Sequence, residues 1–430
     1  MDKDRDIDVL RKQVIDRIDV TRDSSDDDVW QIIDEELFRF SRDRNKGSPL
    51  GIQEKLIYGK EIFDSIRGLD VLEYLLKDDE ITEIMINGPN SIFIEKHGEI
   101  NQFNGKFTSE ERLQDVIQQI VAGVNRRVNE TSPIVDTRLK DGSRVNVVLS
   151  PVALNGPIVT IRKFGNRPLT MDRLIEIGAI NQIAADFLKI LVQSKYNIFI
   201  CGGTGSGKTT FLNVLSNFIP ASERIITIED SAELKIYGIK NLVSLEVKQE
   251  NSEGENGILI RDLIKSSLRM RPDRIIIGEV RGEEAFDLLS ALNTGHDGSL
   301  STGHANNSKD MLKRLETMVL MGIDMPLDGI RGQIASGIDI IIHLSRLRDK
   351  SRRVMEIVEV GEYESGEIKI NPIFQFHDEY KGDRQKKVFG ELRWTGNALK
   401  NLSKLRAAGF NEEDLIYEGE YQQKRRNNNI

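Results

Sequence analysis

Eight residues constrain this chain more than any others. Gly202-Gly203-Thr204-Gly205-Ser206-Gly207-Lys208-Thr209 follows the apolar run Asn197-Ile198-Phe199-Ile200-Cys201 and precedes a helical pattern from Thr209 to Phe218. The segment fits G-x-x-x-x-G-K-[ST] in the strand–loop–helix setting that the motif needs. Glycines let backbone N–H groups curl around phosphates without Cβ clashes, and the helix N-terminus adds partial positive charge. The spacing therefore points to a polyphosphate cradle built from Gly202, Gly203, Thr204, Gly205, Ser206, Gly207, Lys208, Thr209 and Thr210. In such a cradle Lys208 neutralises the β- and γ-phosphates and the Thr209 hydroxyl ligates Mg²⁺. The expected cofactors are ATP and Mg²⁺.

The motif sits in a stretch where apolar strands alternate with helical patterns. Strand candidates are Asn197–Cys201, Arg224–Glu229, Asn241–Val247, Arg274–Val280, Gly298–His304, Asp339–Leu344 and Val354–Val360. Alternation of this kind predicts βαβ units and a mostly parallel sheet covered on both faces, with ligands beyond the carboxyl ends of the strands. Residues 171–360 are read as one such domain, of the P-loop α/β class.

The preceding residues change character twice. In 1–68, Val29, Ile32, Ile33, Leu37 and Phe38 recur at helical spacing, Asn45–Pro49 breaks the pattern and Glu54–Ile66 resumes it, which predicts a helical N-terminal extension. In 69–165, short strand-like runs (Ile81–Ile86, Ser91–Glu95, Ile158–Phe164) surround a helix that Ser109 would cap and that would run to about Arg126. There Asp141-Gly142 between Thr137–Lys140 and Ser143–Leu149 signals a hairpin. This is a smaller mixed α/β domain. Residues 166–170, with Gly165-Asn166-Arg167-Pro168, read as a linker. Residues 361–430 read as an appendage with a disordered polar tail from Lys424 to Asn429.

Composition excludes other classes. Sixty basic against sixty-nine acidic residues in 430 leave a net charge of −9, which suits a soluble protein and argues against a nucleic-acid coat. The lone cysteine, Cys201, permits neither a disulfide framework nor a thiolate zinc cluster, and at a strand end it reads as a small buried apolar residue. No run approaches the ~18 apolar residues of a membrane span, and the Met-Asp-Lys-Asp-Arg-Asp start has no secretory core. The cytoplasm is the expected location.

A phosphate cradle names a ligand class and leaves the reaction open; carboxylates narrow it. Two apolar strands end in glutamate, Ile225–Ile228 at Glu229 and Arg274–Gly278 at Glu279. Magnesium needs a carboxylate nearby, often through water, and hydrolysis needs a group that orients the attacking water. Glu229 and Glu279 can divide these two roles. Two of the five histidines, His296 and His304, flank one predicted strand. Their spacing is no zinc pattern, so a phosphate sensor, a subunit boundary or a structural role remain open to them.

Five segments occur in an order that resembles a known family. They are Gly202–Thr209, Ile226–Leu234, Leu268–Arg274, Gly278–Gly282 and Gly295–Asn306. They are similar to the Walker A, Asp-box, arginine-bearing, Walker B and His-box segments of bacterial type II/type IV secretion ATPases. Over roughly residues 70–360 the chain most resembles the CpaF-type assembly ATPase of Flp (tight-adherence) pili. The resemblance implies a RecA-like motor domain hinged to the N-terminal α/β domain, a homo-hexamer, and a partner in an inner-membrane platform protein, with attachment to the membrane through that partner. It implies Glu279 in association with Mg²⁺, Glu229 as the water-orienting residue, and functional roles for His296 and His304. Arg138, Arg144 and Arg162 match the N-terminal-domain arginines that reach the phosphates, with Arg271 and Arg281 as further candidates. The four-cysteine zinc module of some relatives is absent, and Lys309 stands where relatives often carry arginine.

The expected function is thus an ATPase whose hydrolysis drives assembly of a type IV/Flp-like pilus or secretion of its substrate. A DNA-translocating RecA-like motor and a non-hydrolysing nucleotide-dependent scaffold are the competing readings. The acidic balance and the lack of interleaved aromatic and basic residues disfavour specific nucleic-acid binding.

Overall fold

The computed structural model describes residues 3–17, 25–43, 50–123, 127–163, 169–248, 257–379 and 388–415. The segments Asn45–Pro49, Gly165–Pro168 and Lys424–Asn429, and the end of the helix expected to reach Arg126, lie outside the described residues. Two compact units span Met1–Arg167 and Pro168–Ile430.

In the first unit, α1 (Lys3–Arg17), α2 (Asp26–Asp43) and α3 (Ile52–Arg67) pack together around Leu10, Val14, Val29, Ile33, Leu37 and Ile62. Trp30 stacks on Phe63 with ring centroids 4.7 Å apart. After α4 (Val71–Lys77) comes a sheet of β1 (Ile81–Asn87), β2 (Ile92–Lys96), β3 (Glu99–Phe103), β4 (Ile134–Arg138), β5 (Arg144–Val148) and β6 (Ile158–Arg162), in the order β3-β2-β1-β6-β5-β4. Each neighbouring pair is antiparallel. Helix α5 (Glu110–Ala122) covers it, with Leu113, Val116 and Ile117 against Ile84, Val145 and Val159. Ser109 caps α5 as expected, its hydroxyl accepting from the Arg112 amide at 3.2 Å.

In the second unit, α6 (Met171–Glu176) and α7 (Gln182–Gln193) lead into β7 (Ile198–Gly202), α8 (Lys208–Ser216), β8 (Arg224–Glu229), β9 (Asn241–Glu246), α9 (Ile260–Ser267), β10 (Arg274–Val280), α10 (Glu284–Leu292), β11 (Leu300–Gly303), α11 (Ser308–Gly322), α12 (Leu327–Gly337), β12 (Ile340–Arg346), β13 (Arg352–Glu364), β14 (Glu367–Asp378), β15 (Gly390–Trp394) and α13 (Ser403–Ala407). Among the described residues these strands form one nine-stranded sheet, ordered β15-β14-β13-β12-β7-β11-β10-β8-β9. Neighbours from β12 to β9 run parallel. Strands β13 to β15 add on antiparallel. Side-chain alternation along β7 splits the core between the two faces: Ile198 and Ile200 pack with α7 and α8, Phe199 and Cys201 with α9–α12. Cys201 is buried, which pushes its thiol pKa up, so it serves as a small apolar side chain.

The boundary expected at 360/361 falls inside β13. Ser365 and Gly366, both at positive φ (53° and 85°), turn the chain straight back into β14. Ile373 and Phe374 then join the same core, so this segment is the antiparallel edge of the sheet rather than a separate appendage.

At the amino ends of the strands, Arg274 is fully buried. Its Nε and Nη2 donate to Glu223 at 2.6 and 3.0 Å, and its Nη1 donates to the carbonyls of Val192 and Gly298 at 2.6 and 3.2 Å. One side chain thereby ties the end of α7 to the loops that start β8 and β11. Glu223→Ala would leave this guanidinium buried without its carboxylate. It is expected to lower unfolding stability by about 3–5 kcal/mol, read as a lower urea midpoint.

Candidate nucleotide site

The P-loop joins β7 to α8. Gly205 and Gly207 take φ of 70° and 93°, a region where a side chain is strained. A Cβ on Gly202 would lie 2.3 Å from the Leu344 carbonyl oxygen, so the strand packs only as glycine there. The first helical bond of α8 runs from the Phe211 amide to the Gly207 carbonyl at 2.9 Å. The amides of Lys208, Thr209 and Thr210 precede it at the helix N-terminus, where an anion is favoured. Gly203, Thr204 and Gly205 face solvent, and a Cβ on Gly203 would meet nothing within 4 Å. The buried Ser206 hydroxyl oxygen has no hydrogen-bond partner among the described residues. An open rim of glycines over helix-terminal amides fits a polyphosphate.

Lys208 is only 8% exposed. Its Nζ donates to the Gly203 carbonyl at 3.1 Å and lies 3.3 and 3.5 Å from the two ring nitrogens of His304. His304 Nε2 is 2.7 Å from Glu279 Oε1, and Glu279 Oε2 accepts from Arg281 Nε and Nη2 at 2.9 and 2.6 Å. Burial, then the nearby Lys208 charge, holds the His304 pKa below its ordinary value. Glu279 Oε1 has no hydrogen-bond partner among the described residues, so its contact with His304 is one of close approach, and the ammonium lies about equally near both ring nitrogens. The result is a continuous line, Lys208–His304–Glu279–Arg281.

Glu229 ends β8 beside this line and is 3% exposed. Its Oε1 accepts from the amides of Glu233 and Leu234 at 2.7 and 3.0 Å, which fixes the carboxylate. Neighbouring β10 makes room for it with a glycine: a Cβ on Gly278 would sit 2.9 Å from Glu229 Cγ. Glu229, Glu279, His304 and the P-loop thus all stand at the carboxyl edge of the parallel strands.

Other expected residues lie elsewhere. His296 precedes β11 by one loop, at the opposite end of the strand from His304. That loop is anchored at the start of β7, where Asn197 Oδ1 accepts from the Gly298 and Ser299 amides at 2.8 and 3.1 Å. A strand that runs from one edge of a sheet to the other separates two histidines that sequence spacing groups together. Arg271 is exposed at φ 55° in the turn before β10, also at the amino edge. In the first unit, Arg138 pairs with Arg144 across β4–β5, and Arg144 pairs with Arg162 across β5–β6. Directly opposed residues share a face, so the three arginines form one row. Glu83 pairs with Arg162 on the other side.

Sequence reasoning missed Arg346 and Arg352, which the hairpin between β12 and β13 brings against the P-loop. Arg352 Nε donates to the Gly205 carbonyl at 2.8 Å. The only signal in the sequence is a charge-rich stretch, Arg346 to Arg353, that reads as an exposed turn.

Among the described residues, no helix is long and apolar enough to cross a membrane, and no group of three or more His, Cys, Asp or Glu could hold a metal ion. The fold and the cradle define a P-loop protein of the RecA-like α/β class. The family model described as "Type II/IV secretion system protein" matches residues 66–386, and the chain belongs to that family. It is 35% identical over 317 residues to a putative conjugal transfer protein of Mycobacterium tuberculosis, covering 72% of this chain and 89% of the relative. It is 31% identical over 316 residues to the type IV secretion system protein PtlH of Bordetella pertussis, covering 67% and 93%. The X-ray structure of the Yersinia pseudotuberculosis ATPase DotB aligns with a TM-score of 0.50 at 20% identity, covering 67% of this chain and 77% of that one, a likeness of fold.

Gly278→Ala is expected to push Glu229 out of its place and break its bonds to the Glu233 and Leu234 amides. Hydrogen exchange reads this directly: those two amides, slow in the parent, become fast in the variant, while the amides of β7 stay protected.

Proposed function

We propose that this chain is an ATP-hydrolysing motor of a type IV secretion or Flp-like pilus machine, of the CpaF type, working as a homo-hexamer on an inner-membrane platform protein. The observation that carries the reading is the line from the P-loop lysine through His304 to Glu279, with Glu229 held beside it at the end of β8, the third strand from β7. Gly202–Thr210 would hold the phosphates of ATP, with Lys208 against the β- and γ-phosphates. Mg²⁺ would be held by the Thr209 hydroxyl and, through water, by Glu279, and it supplies positive charge to the departing phosphates.

The chain's own residues then have separable tasks. Glu229, fixed by two amides, is placed to orient a water for in-line attack. Lys208 can leave Gly203 for the phosphates, and His304 feels that departure directly, because the ammonium is one of the charges holding its pKa down. Glu279 and Arg281 would carry the change onward toward α10, where Glu284 Oε1 accepts from the Arg281 amide at 2.6 Å. The Arg138–Arg144–Arg162 row is assigned to the transferring phosphoryl group of this chain's own nucleotide or of a neighbouring copy's. His296 keeps a structural or subunit-boundary role. Relatives named for conjugal transfer favour a second reading, in which the machine served is a DNA-transfer apparatus.

Steady-state hydrolysis and nucleotide binding test the assignment together. Lys208→Ala is expected to lose both. Glu229→Gln and Glu279→Gln are expected to bind ATP and to lose turnover by about 10²-fold or more. Parental turnover in Glu229→Gln would remove its role. Strong stimulation by duplex DNA at physiological salt would favour the second reading.

A further inference from the structure

The hairpin beside the P-loop carries two cations that the proposed mechanism does not use. Strand β12 runs parallel to β7, with Leu344 paired to Gly202, so its chain emerges at the edge of the sheet where the P-loop lies. The turn that follows is closed by its own bonds. The Leu347 amide donates to the Ser351 carbonyl at 2.8 Å, the Lys350 amide to the Leu347 carbonyl at 2.9 Å, and the Ser351 amide to Asp349 Oδ1 at 3.0 Å. Asp349 Oδ2 also accepts from the Val388 amide at 2.9 Å, which ties the turn to the strand edge.

On this braced hairpin Arg346 and Arg352 are paired directly across β12–β13, so their side chains share one face. That face meets the P-loop. Arg352 Nε donates to the Gly205 carbonyl at 2.8 Å, and its Cδ lies 3.4 Å from where a Cβ on Gly207 would sit. Arg346 Nη1 lies 3.9 Å from where a Cβ on Gly205 would sit. Arg348, between them in sequence, turns away and pairs with Asp378 at 2.9 Å. Two guanidinium groups on one face at the rim of a P-loop offer charge-assisted donors to an anion held there.

We propose that Arg346 and Arg352 are a second cationic arm of the nucleotide site. Arg352 is a positioning residue that sets the P-loop through the Gly205 carbonyl, and Arg346 contacts the bound polyphosphate. This rests on the P-loop holding a nucleotide, as proposed above. It places part of the phosphate charge compensation in the same unit as Lys208.

The test is the affinity of the full-length protein for fluorescent ATP and ADP analogues, measured across a salt series, with KM and kcat for ATP. Arg346→Ala should weaken ATP binding about tenfold, the worth of one charge-assisted hydrogen bond, and should flatten the salt dependence. Arg346→Lys should restore most of the affinity. Arg352→Ala should weaken ATP and ADP alike and raise KM more than it lowers kcat. Arg348→Ala serves as the control and should match the parent. Thermal unfolding of each variant confirms that the sheet is intact. Parental Kd and salt dependence in both Arg346→Ala and Arg352→Ala, with Lys208→Ala unable to bind, would overturn this inference alone. Parental binding in Lys208→Ala would overturn the nucleotide reading on which it stands.

Discussion

A nearly buried ammonium needs partners, and much of this site can be read as an answer to that need for Lys208. The Gly203 carbonyl takes one of its donors and the His304 ring faces another, at 3.1 and 3.3 Å. The ammonium adds to burial in holding the His304 pKa down, and the ring stands 2.7 Å from Glu279 Oε1. Counting Lys208 and Arg281 against Glu279 and the neighbouring Glu229 leaves these four side chains balanced, before the hairpin arginines are added. Those arginines and the helix-terminal amides give the cleft the sign that attracts a polyphosphate.

The sheet decides which residues can take part. Parallel strands deliver their carboxyl ends to one edge, so Glu229, Glu279, His304, the P-loop and Arg346 converge there although more than a hundred positions separate the first and last of them. The amino edge does a different job. There Arg274 grips Glu223 and two carbonyls, Asn197 holds the loop before β11, and Lys404 bridges Asp297 and Asp339 at 2.7 Å each. Burial pushes the Asp339 pKa up, with Lys404 opposing, as suits a carboxylate kept for structure. Chemistry at one edge and anchoring at the other explain why His304 and His296 have different surroundings.

Much of this was legible in the sequence, because the signals were local. The P-loop, the apolar strands ending in Glu229 and Glu279, the hairpin at Asp141-Gly142 and the Ser109 cap each depend on residues a few positions apart. What was not legible depends on pairing between distant segments. The continuation of the sheet through β14 and β15 is hidden in half-exposed strands that mix apolar and polar residues, such as Glu367–Asp378. The opposition of the two histidines follows only from the direction of β11 in the sheet. Arg346 and Arg352 look like surface charge until β12 is placed next to β7. The row of Arg138, Arg144 and Arg162 was named residue by residue through the family resemblance, and strand register shows that they are neighbours.

The central claim is that His304 reads the position of the Lys208 ammonium. Nitrogen-15 NMR of the His304 ring, followed through pH in the full chain with and without a non-hydrolysable ATP analogue added free of divalent cations, tests it most directly. The account predicts a ring whose pKa lies below the ordinary histidine value without nucleotide. It predicts that this pKa rises when the analogue binds, as the ammonium moves to the phosphates and negative charge arrives. A pKa at or above the ordinary value without nucleotide, or one that the analogue leaves unmoved, would contradict it.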